Sequence, residues 1–135
     1  MIFLLDTNTV SYYLRGVAPV VKRIQAHKPR ELAISAVTVM ELRFGAAPRR
    51  AARLTAAIDA VVNVLPVLPF DKAAAERAGV VRAALEARGV ALDLADSQIA
   101  GQALVTGAIL VSSDASFRRV PGLVVRDWSK RAQRA

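Results

Sequence analysis

The chain has 135 residues, 54% of them hydrophobic, and sets 19 Lys and Arg against 11 Asp and Glu for a formal net charge of +8 at pH 7. That length accommodates one domain with a real core, and that composition excludes a disordered chain. There is no cysteine, which excludes a disulfide scaffold and any thiolate metal site.

The strong basic excess points to a polyanionic partner such as nucleic acid, although a charged surface also serves solubility. No run approaches the roughly 18 apolar residues of a membrane span. The opening "MIFLL" is too short for a signal peptide, lacks a basic flank and meets Asp6 at once. A cytoplasmic protein with no membrane association is the expectation.

In chain order, "MIFLL" reads as a strand, followed by helical stretches at about 8–15 and 18–28. "ELAIS" (31–35) is a second strand, and Ser35 is placed to cap a helix over 36–46. After a helix at about 50–63, "VLPVLPF" (64–70) carries two prolines and suits only an edge strand. The helix from 72 to 88 is the clearest: Asp71 caps it, Ala74, Ala78, Val81 and Leu85 form its apolar stripe, and Gly89 stops it. A helix over 96–106 ends at Gly107, and "AILVSS" (108–113) and "LVVRDW" (123–128) are two further strands. Strands that alternate with helices and are apolar throughout predict an α/β fold with three layers, α/β/α, around a central, mostly parallel sheet of four to five strands. Residues 1–130 read as a single domain, and 131–135 as a basic C-terminal tail that frays.

Ligands of such folds sit at the carboxyl ends of the strands. Asp6 and Asp114 each follow a strand directly, a position that also suits an ordinary turn or N-cap. Val37, Glu41 and Phe44 share one helix face by their spacing, with Met40 beside them, so Glu41 is expected within an apolar stripe. Asp96 opens the helix "DSQIAGQAL", and if Asp93 takes the cap, Asp96 is free to face the strand edge. Four carboxylates brought together need a counter-charge. Oxygen-only ligands suit Mg²⁺ or Mn²⁺ rather than zinc, and a cation in an acidic pocket of a basic protein suits phosphodiester hydrolysis by metal-activated water. The lone His27 lies in the basic stretch "QAHKPRE" and reads as a surface residue.

The stretches "FLLDTNTVSYYLRG", "LAISAVTVMELRFGA", "LPFDKAAAERAGVVRAALEARG" and "ADSQIAGQALVTGAILVSSDASFRRVPGLVVRDW" resemble, in order and over nearly the whole chain, the PIN-domain ribonucleases of the VapC toxin type. The resemblance implies a PIN-like domain in which Asp6, Glu41, Asp96 and Asp114 bind Mg²⁺ or Mn²⁺ and carry catalysis. It further implies that Thr7, Asn8 and Ser112 orient those acids. It also implies endoribonuclease activity, a homodimer, and a cognate VapB-like antitoxin that silences the acidic pocket. Ser97 and Gly101 depart from the family's usual bulky apolar residue and alanine, which is expected to soften their helix.

Tyr12 and Tyr13 are the only aromatic pair placed like a stacking platform, and core packing suits them better. Arginine contacts to RNA phosphates must then supply most binding, with Arg15, Arg43, Arg82, Arg118 and Arg119 as candidates. Two rival readings differ in kind. A haloacid-dehalogenase-like phosphatase would need a second acid two residues after Asp6, where Asn8 stands. A catalytically silent PIN-like module that binds RNA or a protein would be expected to lack one of the four acids, and all are present.

Overall fold

In the computed structural model, which describes residues 1–131, the five apolar runs become strands: β1 (Phe3–Leu5), β2 (Leu32–Ser35), β3 (Val67–Leu68), β4 (Ile109–Val111) and β5 (Val125–Arg126). Between them lie α1 (Thr7–Leu14), α2 (Ala18–Gln25), α3 (Ala36–Ala46), α4 (Ala52–Val64), α5 (Lys72–Ala87) and α6 (Leu94–Thr106). Of the tail expected at 131–135, all but Arg131 lies outside the described residues.

Each strand pairing is parallel, in the order β3-β2-β1-β4-β5. In the central register Leu4 is level with Ala33 and Leu110, and Leu5 with Ile34 and Val111. Successive side chains point to opposite faces of a strand. Leu4, Ala33 and Leu110 therefore enter one core with Val81, Leu85 and Ile99 of α5 and α6. Leu5, Ile34 and Val111 enter the other, with Val20, Ile24 and Ile58 of α2 and α4. Both faces of the sheet are covered, which is why the strands read as unbroken apolar runs. The chain moves outward from β1 through β2 to β3, then returns to lay β4 and β5 on the other side of β1. The order reverses between β1 and β4, the place where parallel α/β sheets bind their ligands.

Some expected boundaries shift. The second helix stops at Gln25 rather than 28, because Pro29 forces Lys28 into an extended conformation, φ −74° and ψ 146°. In "VLPVLPF" only Val67 and Leu68 pair, with Pro66 and Pro69 on either side unable to donate. Helix α5 is as expected: Asp71 accepts from the Ala74 amide at 2.9 Å, and Ala74, Ala78, Val81 and Leu85 are buried. His27 is not a plain surface residue. Its ring stacks on Trp128 at 5.0 Å and meets Phe3 edge-on at 4.9 Å.

Gly101 has a packing role that the sequence did not suggest: it allows α6 to touch α5. A Cβ there would lie 2.6 Å from the Ala78 backbone nitrogen, a contact that no repacking of side chains relieves. Gly101→Ala is therefore expected to cost about 1–3 kcal/mol in chemical denaturation. Gly79→Ala, on the exposed side of α5 where an added methyl meets nothing within 4 Å, is expected to gain about 0.5–1 kcal/mol. Equal effects of the two substitutions would contradict a close α5–α6 crossing.

Candidate active site

Asp6 stands at the reversal point. Its amide donates to the Val111 carbonyl of β4 at 3.1 Å, and the Thr9 hydroxyl donates to the same carbonyl at 3.0 Å. The start of α1 is thus fastened to the end of the neighbouring strand. The Asp6 carboxylate caps α1 by accepting from the Thr9 amide at 2.8 Å, yet the residue is only 2% exposed. A cap alone does not require such burial. Desolvation raises its pKa above the usual carboxylate value, and hydrogen bonds from Ser112 and Thr9 offset that rise only in part.

Ser112 links two of the acids. It is buried at the end of β4 beside Asp6, and its Oγ accepts from the Asp114 amide at 3.0 Å. Asp114 in turn accepts from the Ser116 amide at 2.9 Å and caps the short 3-10 turn Ala115–Arg119. Asp96 lies in the first turn of α6, and its carboxyl is pushed up to about 7. Burial is the main cause, followed by the charges of Asp93, Asp114, Asp6 and Glu41. Asp96 therefore senses the other three acids from their separate segments. Asp93 occupies the N-cap position of α6 but makes no side-chain capping bond, so the expected division of labour with Asp96 is not formed.

The apolar stripe expected around Glu41 turns inward only in part. Val37, one turn before it, is buried together with Thr38, Leu42 and Ala46, while Glu41 itself is half-buried at the rim. Met40 and Phe44 are 57% and 80% exposed. What holds Glu41 is a hydroxyl pair: Thr7 Oγ1 donates to Glu41 Oε1 at 2.5 Å and lies 3.0 Å from the Thr38 hydroxyl. A carboxylate only accepts, so the single Thr7 proton goes to Glu41 and Thr38 must donate to Thr7. Thr38 is fully buried and was not singled out from the sequence. Its signal was a β-branched hydroxyl one turn before Glu41 on a helix.

Thr7 thus touches an acid, whereas Asn8 is exposed and, among the described residues, bonds to none of the four. The arginines separate clearly. Arg43 is paired with Asp59 of α4 at 2.7 Å, and Arg82 with Glu86 at 3.3 Å. Arg118 and Arg119 are exposed on the 3-10 turn that Asp114 caps. Arg15 ends α1, with its guanidinium 5.2 Å from the centre of the Tyr12 ring. Tyr12 and Tyr13 are half-buried against the second core, as packing residues.

Among the described residues no three carboxylates close into a ready-made ion cage, and no ion pair engages any of these four acids. The donor set is oxygen only, carboxylate in character, and includes buried acids whose charge is disfavoured where they stand. That chemistry fits a hard divalent cation such as Mg²⁺ or Mn²⁺. Among the described residues no helix is long and apolar enough to cross a membrane.

The PIN domain family model matches residues 3–123. The chain is 32% identical over 128 residues to the tRNA(fMet)-specific endonuclease VapC of Salmonella typhimurium, covering 93% of this chain and 97% of that protein. It is 36% identical over 129 residues to the tRNA(fMet)-specific endonuclease VapC of Shigella flexneri, covering 94% and 98%. Among solved structures it is similar to the DNA-bound VapBC from Salmonella typhimurium, with a TM-score of 0.85, 32% identity and coverage of 95% and 98%. It is similar also to VapBC-1 from nontypeable Haemophilus influenzae, with a TM-score of 0.85, 27% identity and coverage of 96% and 100%. Matched along most of its length by the family model and by these relatives, the chain belongs to the PIN-domain family and, within it, to the VapC type.

Proposed function

We propose that this protein is the toxin of a toxin–antitoxin pair, a Mg²⁺- or Mn²⁺-dependent endoribonuclease acting in the cytoplasm as a homodimer and held silent by a cognate VapB-like antitoxin. The observation that carries this reading is that the charges of Asp6, Asp114 and Glu41 all act on Asp96 beside the switch point of a parallel sheet, with no ion pair to any of the four among the described residues. Relatives named as endonucleases and ribonucleases support the activity, and VapBC complexes among the structural neighbours support the antitoxin.

In this reading Asp6, Asp96, Asp114 and Glu41 hold the cation. When bound, it supplies charge neutralisation at the scissile phosphate and a lowered pKa for the attacking water. The chain's own residues do the positioning. Thr9 and Ser112 fix the Asp6 carboxylate, the Asp114 amide fixes Ser112, and the Thr38–Thr7 pair fixes Glu41. Arg118 and Arg119, exposed next to Asp114, are placed to meet the phosphate backbone.

Mapping of new RNA 5′ ends after induction in cells tests the activity. Discrete cleavage sites are expected with the natural chain and none with Asp6→Asn, and identical maps would overturn the nuclease reading. Removing the hydroxyl that orients Thr7 toward Glu41, by Thr38→Val, is expected to weaken Mn²⁺ binding about 10-fold, while Thr38→Ser retains it. A Thr38→Val protein with unchanged Mn²⁺ affinity would show that the hydroxyl pair does not serve the cation.

The pH dependence of stability has a definite sign. Asp96 has a folded pKa of about 7 against 3.8 for the free group, so the folded state holds this proton more tightly. The stability it contributes is present below 3.8 and lost as pH rises through about 7. Cation-free protein is therefore expected to melt at a lower temperature at pH 8 than at pH 6, and millimolar Mg²⁺ to restore more at pH 8. Asp96→Asn should shrink both effects. Melting curves indifferent to Mg²⁺ at both pH values would count against a shared acid–cation site.

A further inference from the structure

Between α1, α3 and α4 a cleft of about 310 Å³ opens directly beside Glu41 and Thr7. Its floor is apolar: Leu42 and Ile58 are buried, and Leu14 and Leu54 are half-buried. Its rim carries two guanidinium groups, Arg15 from the end of α1 and Arg49 from the 3-10 turn Ala47–Arg49 after α3. Neither arginine is in an ion pair among the described residues, unlike Arg43 on the same helix as Glu41. The turn that presents Arg49 closes on Arg50 at φ 47°, a left-handed conformation that residues with a Cβ seldom adopt. An apolar slot lined by two arginines and, of the four acids, by Glu41 alone suits a single nucleotide. The base packs on apolar side chains and its phosphate meets the guanidinium groups. Glu41 would repel a bare phosphate, so the phosphate belongs with the guanidinium groups.

We infer that this cleft is a nucleotide subsite for RNA next to the scissile bond, with Arg15 and Arg49 as its phosphate contacts. This deepens the endoribonuclease reading and rests on it. Arg49 was not singled out from the sequence; its signal was the basic turn "APRR" after the helix of Glu41.

The subsite can be filled without disturbing the core. Gly45 lines the cleft, and a Cβ added to it meets nothing within 4 Å, so Gly45→Leu places a side chain in the slot. The probe is a synthetic RNA spanning a mapped cleavage site, bound to protein silenced by Asp6→Asn, together with copies carrying one abasic nucleotide at each position. An abasic nucleotide at one position flanking the cut is expected to weaken binding about 10-fold. Gly45→Leu should weaken the intact RNA to a similar degree and add little to the loss at that abasic position. Arg49→Ala should weaken all the RNAs alike and flatten the salt dependence by about one counterion.

Two results would overturn the subsite while sparing the nuclease. One is Gly45→Leu and Arg49→Ala proteins that bind and, with Asp6 restored, cut RNA as the natural chain does. The other is a Gly45→Leu protein with unchanged RNA affinity but impaired inhibition by its antitoxin, which would make the cleft a protein-docking site. If the natural chain cuts no RNA at all, the underlying reading fails and the subsite fails with it.

Discussion

The structure is organised around one unfavourable act, the burial of the Asp6 carboxylate at the end of the central strand. An ionised acid removed from water is costly unless it is hydrogen-bonded or paired. The fold supplies the hydrogen bonds, from the Thr9 amide and from Ser112, but among the described residues it supplies no cation. Nearby, Asp96 and Asp114 add charge of the same sign. A structural carboxylate would be expected to pair with its own Arg or Lys, yet among the described residues the ion pairs of this chain, such as Arg43 with Asp59 and Arg82 with Glu86, engage other acids.

Topology makes that concentration possible. Because the strand order reverses between β1 and β4, the two strand ends run on into connections on opposite sides of the sheet. Asp6 ends one strand and Ser112 the other, while α3 and α6 carry Glu41 and Asp96. Helix α6 is fixed tightly enough to serve. Gly101 lets it lie against α5, and the buried Gln102 side chain donates to the Leu68 and Pro69 carbonyls at 2.9 and 2.8 Å, tying α6 to the edge strand.

Much of this was legible in the residues. Apolar runs alternating with capped, amphipathic helices gave the layered parallel fold, and prolines marked β3 as the edge. The positions of Asp6 and Asp114 directly after their strands placed both acids at the carboxyl edge of the sheet. What the sequence hid was packing. Val37, Glu41 and Phe44 have the spacing of one helix face, but whether that face turns inward depends on where Thr38, Leu42 and Ala46 find the sheet and α4. Gly101 looked like a loss of helix propensity, because the close crossing with Ala78 exists only in three dimensions. Asn8 sits beside two residues that do contact the site, and one step along a helix turned it to solvent.

The central claim is that the Asp6, Asp96, Asp114 and Glu41 carboxylates form one site for a divalent cation. Anomalous diffraction from crystals of this protein grown with Mn²⁺ tests it most directly. A manganese peak is expected within direct coordination distance, about 2.2 Å, of oxygens from Asp6 and at least one other of these acids. Manganese bound only elsewhere, with the four carboxylates engaged by protein groups or water alone, would contradict it.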